Sequence, residues 1–105
     1  MHGLVKRPVD PVRIRRMPRQ FGAIDRNLIY RNHVRRLGPA ELALYALLVC
    51  VSDLEGLSYY SDRRLCELLH LEQEPLARAR GVLINANLIL YQPPIYQLLD
   101  LPEVP

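Results

Sequence analysis

The sequence is short of several residue types and of any long apolar run. It has no tryptophan, one phenylalanine and only two cysteines among 105 residues. No apolar run approaches the ~20 residues that a membrane-spanning helix needs. The first twenty residues are too rich in proline and arginine to form a secretory signal, so we expect a cytoplasmic protein. Cys50 and Cys66 lie within predicted helices, where we expect small buried hydrophobes in a reducing compartment.

The motifs of common enzyme classes are also absent. There is no glycine-rich phosphate loop, GxSxG or HExxH, and no carboxylate pair in a plausible cleft. Cys66 and His70 are four residues apart, but only Cys50 would add a third metal ligand. His33 is expected to be a surface or linker histidine. The sequence therefore predicts a non-enzyme without cofactor, metal or small-molecule substrate.

What the chain does have is an uneven charge distribution. Residues 1–36 carry ten Lys or Arg against two Asp, a net charge of +8. Residues 37–105 carry four Arg against nine acidic residues, a net charge of −5. Half of the residues are hydrophobic, which at this length supports one compact domain. The pattern indicates a basic arm joined to an acidic globule.

The arm is predicted to comprise residues 1–20, which contain three prolines and no sustained periodicity. Clustered cations near DNA gain affinity by releasing counterions, so one interpretation is a segment that follows phosphates. The other is a solvated leader, or one that folds over the acidic domain. The arginines assigned to phosphate contact are Arg13, Arg15, Arg16 and Arg19.

Residues 21–37 are expected to form a short element that packs on the main domain through Phe21, Ile24, Leu28 and Ile29. A helix is predicted over residues 39–52, beginning after Gly38. Its residues 42–51 are all apolar, which indicates burial on more than one side. This helix is either central to the core or has a second side against a partner.

Residues 61–89 are typical of a helix-turn-helix. Ser61 is predicted to cap a helix over residues 61–70, whose buried face is Leu65, Leu68 and Leu69. A second helix is predicted over residues 73–87, with a core arc of apolar residues spaced by three and four. Asn87 lies where a helix end favours a left-handed conformation.

Strands complete the pattern. Residues 57–60 predict a short strand, and residues 88–99 predict a hairpin with Pro93-Pro94 at its tip. The predicted fold is therefore mainly α with a small β-hairpin (α+β). In detail it is a winged helix-turn-helix, with a three-helix core and a two-stranded wing, over residues 21–101. Residues 102–105 form a tail.

Core positions from Phe21 to Leu99 carry a family resemblance. The chain resembles bacterial winged-helix domains of plasmid, phage and primosome-type replication proteins and related transcriptional regulators, and the resemblance covers about three-quarters of the sequence. The matching positions follow four family patterns, F..I...LI, L...A..LY..L, G.SY.S...L and L......A...L...LI..Y.L. They are Phe21-Ile24-Leu28-Ile29, Leu37-Leu42-Leu44-Tyr45-Leu48, Gly56-Ser58-Tyr59-Ser61-Leu65 and Leu71-Ala79-Leu83-Leu88-Ile89-Tyr96-Leu98.

The resemblance implies that the second helix of the motif enters the major groove of double-stranded DNA. Among its implied DNA-facing positions, Gln73 would read adenine and Arg78 would read guanine or hold a phosphate. Arg63 and Arg64 would hold backbone phosphates. The remaining implied positions are Glu74, Pro75, Ala77 and Gly81.

Two functional classes follow. The first is a DNA-binding winged helix acting as a transcriptional regulator or replication-associated factor of a mobile element. The second is a winged helix that serves as a protein-interaction or dimerisation module, favoured by Glu72 and Glu74 at the helix start and by a wing without a basic tip. Arg80 stands where the family often has leucine. Val82 and Ile84, beside the core arc, belong either to a broad core covered by residues 21–37 or to a homodimer face.

Overall fold

The computed structural model describes residues 5–103, and the parts of the predicted arm and tail at residues 1–4 and 104–105 lie outside it. Within that range the chain combines α-helices with a three-stranded antiparallel sheet, which confirms the predicted α+β class. No helix of this range is both long enough and apolar enough to cross a membrane.

The helices and strands follow one another along residues 27–98. The helices are α1 (Asn27–Tyr30), α2 (Pro39–Val51), α3 (Asp62–Leu69) and α4 (Gln73–Asn85). Single turns of 3-10 helix precede and follow α1, at Pro11–Arg13 and His33–Arg36. The strands are β1 (Leu57–Tyr59), β2 (Ile89–Gln92) and β3 (Ile95–Leu98), with β3 in the middle of the sheet.

Local sequence signals set the ends of α3 and α4. The Ser61 hydroxyl oxygen accepts a hydrogen bond from the Arg64 N–H at 3.1 Å, which satisfies a free donor of the first turn. At the other end of α3, His70 adopts a left-handed conformation with φ of 54°. Asn87 does the same two residues beyond α4, with φ of 60°, so the helix ends at Asn85 rather than at residue 87.

The turn before β1 and the hairpin fix the register of the sheet. The Asp53 side chain accepts hydrogen bonds from the Glu55 and Leu57 N–H groups, each at 2.9 Å. β1 then pairs with β3 so that Ser58 lies opposite Tyr96. β2 pairs with the other edge of β3 across a two-residue turn. The sheet therefore presents one face to the helices and the other to solvent.

The core lies between the helices and the inner face of the sheet. Leu44 and Leu48 of α2, together with Leu76 and Leu83 of α4, are completely buried, so these two helices form its centre. The full buried apolar set is Leu28, Leu44, Tyr45, Leu48, Val49, Leu65, Leu76, Ala79, Leu83, Leu88, Ile89 and Tyr96.

Within residues 5–103, α2 is buried along one side only, and a second side packed against a partner stays a prediction. The buried residues Leu44, Tyr45, Leu48 and Val49 share one arc. The opposite arc is exposed and consists of Leu42, Ala43, Ala46 and Cys50. The hydrophobic effect drives burial only where another element supplies a covering surface, and within residues 5–103 none covers this arc.

Several predicted core residues are exposed for the same reason. In the segment before α2, Leu28 is buried, whereas Phe21 is 57% exposed and Ile29 is 62% exposed. Leu68 of α3 is also exposed, because the buried side of this short helix is centred on Leu65. The two cysteines were predicted to be buried, but Cys50 is exposed and Cys66 is half-buried.

The chain leading into α1 crosses α2 in close contact at Gly22. A Cβ atom added at this glycine would collide with the backbone carbonyl of Val49 and would approach the Cα atom of Cys50 at 3.0 Å. By contrast, a Cβ atom added at Gly81 of α4 would meet nothing within 4 Å. Close approach of two backbones therefore explains why glycine occupies position 22, but it does not explain the glycine at position 81.

These two glycines form a matched pair for mutagenesis. We expect Gly22→Ala to lower the free energy of unfolding by about 1–3 kcal/mol, because backbone atoms must move apart. Gly81→Ala should raise it by roughly 0.5–1 kcal/mol, since alanine is the better helix former. Urea denaturation of both variants measures the difference, and equal effects of the two would contradict the packing described at Gly22.

Candidate nucleic-acid interface

α3 and α4 pack against each other and leave one stripe of α4 uncovered. At about 100° per residue, the exposed positions of α4 fall within an arc of about 140°. Gln73, Ala77 and Gly81 run along this stripe at intervals of four residues, and Glu74 and Arg78 lie beside them. Of these five residues, only Gly81 is partly covered. The structure thus brings these five predicted groove-facing residues together on one surface, whereas the predicted Pro75 is half-buried and lies outside the stripe.

Arg78 is not free on this surface. Its guanidinium donates a hydrogen bond of 2.9 Å to the Glu74 carboxylate one helical turn earlier, and both side chains are mostly exposed. Such an exposed pair contributes little to stability. The pair does keep the Arg78 guanidinium beside the stripe, where the Glu74 carboxylate neutralises its charge.

Arg63 and Arg64 are exposed in the first turn of α3. Arg64 lies 3.8 Å from the Glu67 carboxylate, a loose surface ion pair. Within residues 5–103, Arg63 makes no ion pair or side-chain hydrogen bond. Both side chains can therefore reach an external anion.

The predicted arm arginines lie in a segment that has no buried residue. Residues 5–26 are all exposed, including Arg13, Arg15, Arg16 and Arg19. One turn of 3-10 helix interrupts the segment where the Asp10 carboxylate accepts a hydrogen bond from the Val12 N–H at 3.0 Å. No contact recorded for residues 5–103 joins these arginines to α3 or α4, so the structure keeps the two basic groups separate.

The hairpin carries no charge. From residue 88 to residue 99 it contains no acidic or basic side chain. The outer face of the sheet instead combines the exposed amides of Gln92 and Gln97 with apolar side chains, of which Leu90 is 50%, Ile95 39% and Tyr59 69% exposed. This face cannot attract phosphates, but it resembles the surfaces through which proteins bind one another.

A buried polar network fixes the hairpin relative to α3 and α4. Arg80 donates hydrogen bonds of 2.7 and 3.2 Å to the two carboxylate oxygens of Asp62, at the start of α3. It donates another of 2.8 Å to the Tyr96 hydroxyl, and its guanidinium lies 4.6 Å from the Tyr91 ring centroid. The two tyrosine rings stack with centroids 4.3 Å apart. One arginine thus joins α3, α4 and both hairpin strands.

The electrostatics of this network are consistent with a permanently charged arginine. The hydrogen bonds to Asp62 raise the pKa of Arg80 against the opposing effect of burial. Burial raises the pKa of the Tyr96 hydroxyl, and the hydrogen bond from Arg80 works in the other direction. The guanidinium side chain is only 14% exposed, so the network is structural rather than available to a ligand.

Sequence reasoning did not identify this network. Arg80 was recognised only as a departure from leucine, and no partner was assigned to it. An arginine beside the core arc of a helix requires a partner, which is a usable signal. The partner is 18 residues away, and only the packing of α3 on α4 selects it.

Comparison with models of known protein families, with curated proteins and with solved structures finds no match in any of the three. Among residues 5–103, no group of three or more His, Cys, Asp or Glu side chains is placed to hold a metal ion.

Proposed function

We propose that the chain is a DNA-binding protein of the winged-helix type. In this proposal α4 is the groove-binding helix, the β2–β3 hairpin is a short wing, and the basic segment holds phosphates. The observation that carries the proposal is the uncovered stripe of α4, with Gln73 and Arg78 on it and the two exposed arginines of α3 nearby. Its biological role would be that of a transcriptional regulator or replication-associated factor.

The charge distribution supplies the affinity in this scheme. Residues 5–20 carry six cations and one carboxylate, a net charge of +5, and all of them are exposed. Cations that neutralise phosphates release counterions and favour binding without regard to sequence. The α4 stripe carries little net charge, so it would select a site rather than supply the bulk of the affinity.

The test is binding of the full chain to random-sequence duplex DNA, followed by fluorescence anisotropy as salt is raised from about 50 to about 200 mM. We expect affinity to fall steeply with salt. Arg63→Gln together with Arg64→Gln should weaken binding and reduce the slope of log K against log salt by up to about 2. Absence of binding at the lowest salt would overturn the proposal.

Glu74 offers a sharper test of the α4 surface. We expect Glu74→Gln to strengthen duplex binding severalfold, because it removes a carboxylate from the stripe and releases Arg78. Glu55→Gln is the matched control, since Glu55 lies in the exposed turn before β1 and loses the same charge away from α4. Equal gains for both variants would show that only net charge matters, and would remove α4 from the interface.

A second candidate function is protein binding or homodimerisation through uncharged surfaces. The outer face of the sheet favours it, because Tyr59 lies opposite Ile95 there and Leu90 is exposed on the neighbouring strand. Sedimentation of the full chain over a range of concentrations would detect self-association. A monomer at all concentrations would leave a different protein as the remaining partner.

A further inference from the structure

A cleft separate from the α4 stripe lies at the C-terminal end of the same helix. Its volume is about 510 Å³, and three parts of the chain form it. They are the residues from Arg31 to Arg36, the end of α4 at Asn85 to Asn87, and the C-terminal segment at Pro102 and Glu103. Twelve residues separate Asn85 from Gln73, so the cleft is roughly 18 Å along the helix from the start of the groove-facing stripe.

The lining of this cleft is strongly basic. Arg31, Arg35 and Arg36 contribute three positive charges, and Glu103 contributes the one carboxylate, for a net charge of +2. Within residues 5–103 none of the three arginines makes an ion pair or a side-chain hydrogen bond. The three positive charges outnumber the one Glu103 carboxylate, and an anion bound between them would reduce their mutual repulsion.

Arginines near a helix C-terminus commonly serve to satisfy its free carbonyls. Here that role is already filled by backbone groups. The Val82 and Ile84 carbonyls accept hydrogen bonds from the Ala86 and Asn87 N–H groups, and the Leu83 carbonyl accepts one from Leu88 at 3.1 Å. The end of α4 therefore does not require the three guanidinium groups.

The cleft also contains neutral donors. His33 lines it, and its Nε2 atom is buried without a hydrogen-bond partner among residues 5–103. His33 belongs to the 3-10 turn that links α1 to α2, and its side chain is half-buried. Asn32, Asn85 and Asn87 add side-chain amides to the lining. A buried ring nitrogen without a partner is uncommon in folded proteins.

We propose that this cleft binds a phosphate group. Guanidinium forks match phosphate oxygens in pairs, and three of them with amide and imidazole donors suit a compact anion with several acceptor oxygens. The phosphate belongs either to a small phosphorylated molecule or to a nucleic-acid backbone passing this end of α4. The site requires only the geometry of the cleft and is independent of binding at the groove-facing stripe.

The test is titration of the full, isotope-labelled chain with inorganic phosphate, followed by two-dimensional NMR, with sodium chloride at matched ionic strength as the reference. Phosphate should move the amide signals of Asn32, His33 and Asn87 and leave those of the arm in place. Arg31→Gln with Arg35→Gln should weaken phosphate binding about tenfold or more. Arg26→Gln is the control for loss of charge, because Arg26 is exposed, does not line the cleft and is assigned to no DNA contact; it should leave phosphate affinity unchanged.

Replacing Glu103 should change phosphate affinity in the opposite direction. Removing its charge by Glu103→Gln should tighten phosphate binding about twofold to fivefold, as expected for an exposed like-charge neighbour of the ligand. The proposal is overturned if chloride produces the same signal changes as phosphate. It is also overturned if the Arg31/Arg35 variant binds phosphate as tightly as the unmodified chain.

Competition between phosphate and duplex DNA shows whether the bound phosphate group belongs to a nucleic-acid backbone or to a small molecule. If bound phosphate weakens DNA binding by the unmodified chain but not by the Arg31/Arg35 variant, the cleft holds a backbone phosphate. If the two ligands bind independently, or if DNA does not bind at all, phosphate binding still supports the cleft and assigns it to a small phosphorylated molecule. Failure of the DNA proposal is thus distinguishable from failure of this one.

Discussion

Replacing Arg80 by alanine should lower the free energy of unfolding by about 3 kcal/mol, the largest loss of stability expected from one exchange at a charged residue in this chain. The substitution removes two hydrogen bonds to Asp62, one to the Tyr96 hydroxyl and a cation held over the Tyr91 ring. It also leaves the Asp62 carboxylate, which is only partly exposed, without its partner.

The magnitude follows from the burial of the two partners. Breaking a fully buried ion pair costs about 3–5 kcal/mol, because an uncompensated charge remains in the interior. The Asp62 side chain is 39% exposed, so water recovers part of that cost. The lost contact with the Tyr91 ring adds about 0.5–2 kcal/mol. For a domain of this size, a total of about 3 kcal/mol corresponds to a fall in melting temperature on the order of 15 °C.

Thermal and urea denaturation would measure the effect, and Arg78→Ala is its matched control. Arg78 is on the same helix and also pairs with a carboxylate, but that pair is exposed, so its loss should change stability by no more than about 0.5 kcal/mol. The loss of stability in Arg80→Lys should lie between those of the two alanine variants, because an ammonium keeps the charge but cannot donate two parallel hydrogen bonds to the Asp62 carboxylate.

A double-mutant cycle with Asp62→Ala isolates the ion pair itself. We expect a coupling energy of about 1 kcal/mol or more between positions 62 and 80, as is usual for residues in one hydrogen-bonded network. A coupling near zero would mean that the pair does not hold the hairpin against α3 and α4.

Neutralising the four arm arginines should produce the largest functional effect. The variant carrying Arg13→Gln, Arg15→Gln, Arg16→Gln and Arg19→Gln is expected to bind duplex DNA about 10²–10³-fold more weakly at low salt. Its slope of log K against log salt should fall by as much as about 3.6, since each phosphate contact contributes about 0.9. All four side chains are exposed, so stability should be unchanged within about 0.5 kcal/mol.

The control exchanges the same four arginines for lysines. Counterion release depends on charge, so the lysine variant should retain most of the affinity and of the salt dependence. If the lysine variant loses as much affinity as the glutamine variant, the segment binds through guanidinium geometry instead. If neither variant changes binding, the segment is a solvated leader, and α3 and α4 must account for any DNA affinity.

The elements with local signals could be predicted from the sequence. Ser61 as a cap, Asn87 as a left-handed helix end and Pro93-Pro94 as a turn each specify a boundary through the residue's own chemistry. The apolar spacing in α4 likewise identifies its buried arc, because the helical period relates positions three and four residues apart. The same helical period identifies the candidate groove-facing residues of α4, because they are the positions outside the buried arc.

The predicted burial of apolar side chains was wrong where it depends on an element far away in the sequence. A run of ten apolar residues in α2 indicates burial on more than one side, but within residues 5–103 only one side has helices and strands packed on it. Phe21 and Ile29 have the hydrophobicity of core residues but lie outside the core, because the segment that carries them buries only Leu28. Hydrophobicity measures the gain from burial, whereas tertiary packing decides which side chains obtain it.

By itself, the sequence determined the α+β class, the approximate bounds of the helices and strands, and the separation of a basic N-terminal third from an acidic remainder. These properties depend on single residues, on short periodic patterns or on composition. Only the tertiary structure decided that Arg80 pairs with Asp62, and that Arg31, Arg35 and Arg36 meet the end of α4 around one cleft. The physical reason is that both arrangements join residues far apart in the chain, and such contacts are selected by how helices pack rather than by local chemistry.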